Sequence, residues 1–187
     1  MQELTDGQIS PGRAQENQLS PVKRHPIIVV LENVRSLYNV GSIFRTSDGA
    51  CIEKLYLCGF TSHPPRSQIE KTALGATRTV PWEYRKHPVQ LIAEIKSRNF
   101  TICVLERTTE SVPYYSISPT QFPLCLVVGN ELVGVTKKVI ERADTAVEIP
   151  MFGTKQSLNV AVAYGIAVFE FVRILHHEEK QPSLDQP

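Results

Sequence analysis

Leu124-Cys125-Leu126-Val127-Val128-Gly129-Asn130-Glu131-Leu132-Val133-Gly134 is the stretch on which the fold turns. An unbroken apolar run without polar alternation suits a strand covered on both faces, the setting of a parallel sheet. The run stops at Gly129-Asn130-Glu131 and meets a second glycine at Gly134, which reads as a turn. In an open α/β sheet such a turn lies at the C-terminal rim, where ligands are held.

Similar runs lie on either side, at residues 26–31, 54–59, 100–105 and 145–150, the first bounded by Pro26 and rich in β-branched side chains. Between them the pattern predicts helices over residues 40–48, 88–98, 136–142 and 157–176, with Thr136 as N-cap of the third and Ser157 as cap of the last. Strands alternating with helices give an α/β domain with a mostly parallel sheet and helices on both faces. Residues 26–176 form this single domain, between a polar arm over residues 1–25 and a tail over 177–187, both expected to be flexible. The last predicted helix is apolar almost all round, which asks for burial on more than one side, in the core or at a subunit interface.

Composition narrows the function classes. The chain has 187 residues, a net charge of +1 and 42% hydrophobic residues, values of an ordinary globular domain that neither propose nor exclude RNA. Four dispersed cysteines, with no CxxC pair, read as small buried hydrophobes in a reducing compartment rather than as disulfides or a metal site. No apolar leader is expected at the N-terminus, and no apolar stretch is expected to reach the ~20 residues of a membrane span. A cytoplasmic protein without membrane or metal is expected. Neither a G-x-G-x-x-G fingerprint nor a P-loop is present, which disfavours nicotinamide and ATP enzymes.

Three segments depart from what packing needs. Asn39-Val40-Gly41-Ser42-Ile43-Phe44-Arg45 follows the first strand; Asn39 is an ordinary helix start, yet a guanidinium at such a rim can grip a phosphate. Gly129 to Gly134 permits close backbone approach. Ile149 to Ala163 carries Asn159 on an otherwise apolar helix, and a buried amide requires partners.

In these segments the chain resembles the SpoU/TrmH family of ribose methyltransferases, within the trefoil-knotted group. Three patterns carry the resemblance, in family order: N-x-G-x-x-x-R at Asn39 to Arg45, G-[N/S]-E-x-x-G at Gly129 to Gly134, and I-P-M-x-G-x-x-x-S-L-N-V-x-V-A at Ile149 to Ala163. Relatives often have glycine where this chain has Cys51, and commonly where it has Leu132. The resemblance implies a deep C-terminal trefoil knot, a feature otherwise almost absent from proteins. It further implies a homodimer and S-adenosylmethionine-dependent 2'-O-methylation of RNA; the overall length, with no added N-terminal RNA-binding domain expected, favours tRNA slightly over rRNA. It places the cofactor against Val128, Gly129, Asn130, Gly134, Ile149, Met151 and Leu158, and makes Arg45, Asn39, Glu131, Ser157 and Asn159 the catalytic set. The locally basic stretch with Arg66, Lys71 and Arg78, expected as a loop beside the site, is the candidate RNA contact, and Trp82 beside it reads as an anchor to the core. The alternative is a catalytically silent RNA-binding protein of the same knotted group.

Overall fold

The β-branched run after Arg24 forms the strand at the heart of the molecule. The computed structural model describes residues 23–179. The expected arm and tail therefore lie outside the described residues, except that at residues 23–25 the chain is already fixed, with Arg24 donating to the Ile52 and Thr79 carbonyls and β1 (His25–Glu32) including His25, and that the last helix continues to Glu179. The remaining strands are β2 (Ile52–Cys58), β3 (Trp82–Arg85), β4 (Thr101–Leu105), β5 (Val112–Pro113), β6 (Leu124–Val128) and β7 (Thr145–Glu148). They form one sheet in the order β3-β2-β1-β6-β4-β7-β5, and every pair is parallel. The five strands expected from apolar runs are all present. The two additional ones are β3 and β5 at the sheet edges, short and only partly buried.

The helices are α1 (Leu37–Gly49), α2 (Ser67–Ala73), α3 (Ala76–Thr79), α4 (Pro88–Lys96), α5 (Lys137–Ile140) and α6 (Val160–Glu179). Alternate residues of β1 divide between two cores. Ile27, Val29 and Leu31 pack with α1, α2, α3 and α6, while Ile28 and Val30 pack with α4 and α5. Helices thus cover both faces, as continuous apolar strands demand. Trp82 bridges to the first core: its ring meets Phe44 edge-on and its indole N–H donates to the Thr77 carbonyl at 3.1 Å.

Gly41, inside the first motif, is where α1 meets α2. A Cβ there would overlap the Thr72 hydroxyl and the Ile69 carbonyl. Close helix packing is one reason that position excludes larger residues. Further along the same helix, Ser47 shares a buried 2.8 Å hydrogen bond with Tyr164 of α6. Burial pushes the Tyr164 hydroxyl far above its ordinary range, so it stays protonated.

Several expectations need correction. The stretch after Pro65 is not a loop, because α2 and α3 occupy it, with Ile69, Ala73 and Ala76 turned into the core. Thr136 precedes α5 but does not cap it with its side chain; its hydroxyl and amide both donate to Glu32, at 2.6 and 2.8 Å. Glu32 is buried, so these bonds supply the partners a buried carboxylate requires. Finally, α6 is long and apolar enough to cross a membrane, with a mean hydropathy of 1.4 over Val160–His177. In this structure Tyr164, Ala167, Val168, Phe171 and Ile174 of this helix are buried in the first core, while Val162 and Phe169 are exposed.

Candidate active site

The C-terminal ends of β4, β6 and β7 open on a cleft of about 570 Å³, within the range of small-molecule sites. Its walls are residues 105–107, 128–134, 147–151 and 156–158, with Val160 and Ala163 of α6.

The turn after β6 is closed upon itself. Asn130 and Gly134 exchange two backbone hydrogen bonds, of 3.1 and 2.9 Å. The Asn130 side-chain oxygen accepts from the amides of Leu132 and Val133, and its amide group donates to the Asn33 carbonyl at 2.8 Å. A Cβ on Gly129 would overlap the backbone of Gly134 and Val135. The turn's own backbone is therefore enough to require glycine at 129. Gly134 has φ +70°, and a Cβ there would overlap the Glu106 carboxylate.

Glu131 projects from this turn to the start of α1. Its oxygens accept from the amides of Arg35 and Ser36, at 2.9 and 3.0 Å, and from the Asn39 side chain at 3.0 Å. A carboxylate there meets the unsatisfied N–H groups and the positive end of the helix. Partial burial is the largest single influence on Glu131 and opposes its charge; the three donors together outweigh it and hold the carboxyl below its ordinary range.

Asn159 completes the chain of contacts. Its Nδ2 donates to Asn39 Oδ1 at 3.1 Å, while its Oδ1 accepts from the amides of Ala161 and Val162. Asn159 is therefore the N-cap of α6, and it is exposed. The expectation of a buried amide, and of Ser157 as the cap, fails because α6 begins three residues later than the pattern suggested.

The expected cofactor contacts Val128, Gly129, Asn130, Gly134, Ile149, Met151 and Leu158 line the cleft, as do Glu131 and Ser157. Asn39 and Asn159 join it through Glu131. Arg45 lies further along α1, exposed, with no hydrogen bond or ion pair among the described residues. Arg66, Lys71 and Arg78 are exposed on and around α2 and α3, and none of them lines the cleft.

Sequence reasoning missed two acidic groups in the wall. Glu106 accepts from the Val135 and Arg107 amides at 2.9 and 3.1 Å, and Glu148 accepts from the Ser111 hydroxyl at 2.8 Å. The signal was available: each directly follows or closes an apolar strand, where a solvated charge is unexpected.

The model of the SpoU rRNA Methylase family matches residues 26–169. The chain belongs to that family. Among individual SpoU proteins, the tRNA (guanosine(18)-2'-O)-methyltransferase of Aquifex aeolicus is 37% identical over 169 residues, covering 88% of this chain and 78% of that protein. The 23S rRNA (guanosine-2'-O-)-methyltransferase RlmB of Haemophilus influenzae is 32% identical over 161 residues, covering 84% of this chain and 65% of its own length. The crystal structure of the A. aeolicus TrmH/SpoU tRNA modifying enzyme superposes with a TM-score of 0.76 at 35% identity, covering 87% of this chain and 83% of that one. An AdoMet-bound rRNA methyltransferase from Sinorhizobium meliloti gives 0.75 at 29% identity, covering 80% of this chain and 56% of that one.

The cleft suits such a nucleoside cofactor. Leu105, Val128, Val147 and Ala163 provide apolar surface for a flat ring, and the wall carries three acidic side chains, Glu106, Glu131 and Glu148, against the single cation Arg107, which pairs with Glu148. Among the described residues no cluster of metal-ligating side chains exists.

Proposed function

We propose that this SpoU protein methylates the ribose 2'-hydroxyl of a structured RNA, with tRNA favoured over rRNA, and that it acts as a cytoplasmic homodimer with a knotted C-terminal region. The observation that carries the reading is the contact chain Glu131–Asn39–Asn159, which draws the three motifs together at the rim of the cleft. The tRNA preference follows the A. aeolicus enzyme, most of whose length this chain spans. Support for the dimer is the exposed apolar set Leu158, Val162 and Phe169 on and before α6, with Tyr38 on α1. The four free cysteines, three of them buried, suit a reducing compartment.

When bound, S-adenosylmethionine supplies a sulfonium methyl group, reactive enough for alignment to contribute much of the acceleration. Val128, Gly129, Asn130, Gly134, Ile149, Met151 and Leu158 hold it by backbone groups and apolar contact. Glu131 and Asn39 fix the start of α1 against the cleft, and Ser157 and Asn159 fix the start of α6. Arg45, with no hydrogen-bond or ion-pair partner among the described residues, faces the RNA. Its guanidinium stays protonated, so its role is to bind the phosphate beside the target and stabilise the developing alkoxide. The hydroxyl proton leaves to that phosphate or to water.

Transfer of labelled methyl from S-adenosylmethionine to bulk tRNA and rRNA, with nuclease mapping, tests this. Label in 2'-O-methylated nucleotides, reduced at least a hundredfold by Arg45→Ala, is the expected result. Cofactor binding without transfer to any RNA would favour the catalytically silent RNA-binding protein.

A further inference from the structure

Phe60 projects from the C-terminal end of β2 with 76% of its surface exposed, and it has no ring contact among the described residues. An isolated exposed apolar side chain is ordinary. This one differs in how it is held. Its amide donates to Asn33 Oδ1 at 3.1 Å, and the preceding Gly59 accepts from the Tyr84 hydroxyl at 2.8 Å. The following Thr61 hydroxyl donates to the Leu31 carbonyl and accepts from the Val34 amide, at 2.9 and 3.0 Å. The backbone on both sides is fixed, so the ring is presented and not merely tolerated.

Its place is equally specific. Asn33 binds Phe60 through its side chain and Asn130 of the cleft turn through its carbonyl. One residue thus separates the aromatic ring's anchor from the wall of the cleft. Around this turn stand His63 and Tyr84, with ring centroids 5.0 Å apart. Exposed Lys86 follows Arg85, whose carbonyl accepts from the Gly59 amide. An aromatic face, a cation for a phosphate and a rigid mount describe a site for one base of a single-stranded segment.

We infer that Phe60 is a stacking platform for an unpaired nucleobase of the RNA, a reading that rests on the RNA substrate proposed above. Stacking on Phe60 would hold a base out of its helix close to the nucleotide at the cleft. Planarity is what the site requires, so a ring of another kind can serve and a branched aliphatic side chain cannot.

The test measures binding of a fluorescent stem–loop oligoribonucleotide and of a fully paired duplex of the same length, to wild type, Phe60→Ala, Phe60→Leu and Phe60→Trp. Wild type should prefer the stem–loop. Alanine and leucine should weaken stem–loop binding about tenfold, the scale of one lost base–aromatic stack. Tryptophan should stay within about twofold of wild type, and duplex binding and S-adenosylmethionine affinity by calorimetry should be unchanged in all variants. Leucine binding the stem–loop as well as wild type, or stem–loop and duplex weakening together, would overturn the platform. Stem–loop binding lost in Phe60→Ala, in a protein that methylates no RNA, would uphold the platform and refute the methyltransferase reading instead.

Discussion

Asn159 at the start of the last helix donates to Asn39 in the first turn of the first helix, 3.1 Å apart and 120 residues distant in sequence. Two roles meet in this side chain, the cap of α6 and the link to α1.

The two roles can be separated. Asn159→Ala removes both and should cost about 1–2 kcal/mol of stability, the usual loss of an N-cap. Asn159→Asp keeps an oxygen for the cap and removes the donor facing Asn39. Denaturant midpoints for the aspartate variant should stay near wild type, while methyl transfer falls at least tenfold.

Acid should act through Glu131. Its folded-state carboxyl lies below the ordinary range, so the stability it contributes is present above the unfolded-state pKa and is lost as pH falls through the folded one. At pH 7, Glu131→Gln should be less stable than wild type by ~1 kcal/mol, a value already reduced for the solvent exposure of the group. Urea melts repeated down the acid range should show the two proteins converging below the normal carboxylate pKa. A gap that persists unchanged would mean that the charge contributes nothing.

Cys51 occupies a left-handed backbone position, φ 47°. A side chain there is strained, and glycine removes the strain at some entropic cost. Cys51→Gly should therefore raise stability by roughly 0.5–1 kcal/mol in thermal unfolding. Alkylation of the native protein at mildly alkaline pH should modify Cys51 alone. Burial pushes Cys58 and Cys103 up to about 12 and Cys125 well above its ordinary value.

Gly129→Ala would set a Cβ against the backbone of Gly134 and Val135, atoms that cannot swing aside. A loss of more than about 3 kcal/mol is expected. Calorimetry should show no cofactor binding even where the variant remains folded, because the turn that walls the cleft can no longer close.

The strands buried on both faces were legible because continuous apolar runs have one good explanation. Edge strand β3 was not, since Trp82-Glu83-Tyr84-Arg85 is short and half polar. Helix α2 was hidden by Pro64 and Pro65 before it and by Glu70 and Lys71 within it, which read locally as a loop. In the site, the motifs pointed to Asn39, Glu131 and Asn159, but no local pattern says that the three touch. The apolar pattern after Asn159 implies a helix from Ser157 with Asn159 buried in it, whereas the helix starts at Val160 and leaves Asn159 as its exposed cap. Asn33 went unnoticed: its importance lies entirely in contacts made across the fold, with Phe60 and Asn130.

Asn33 also bears on the order in which the two substrates arrive. Its amide, carbonyl and side-chain oxygen are all engaged, with Cys58, Asn130 and Phe60 respectively. Coupling between sites needs an element with two arrangements, and in this structure Asn33 holds its contacts to both sides at once. If that joint stays closed when the cleft fills, the Phe60 rim is expected to stay as it is. The kinetic counterpart is random addition, with the KM of each substrate independent of the concentration of the other.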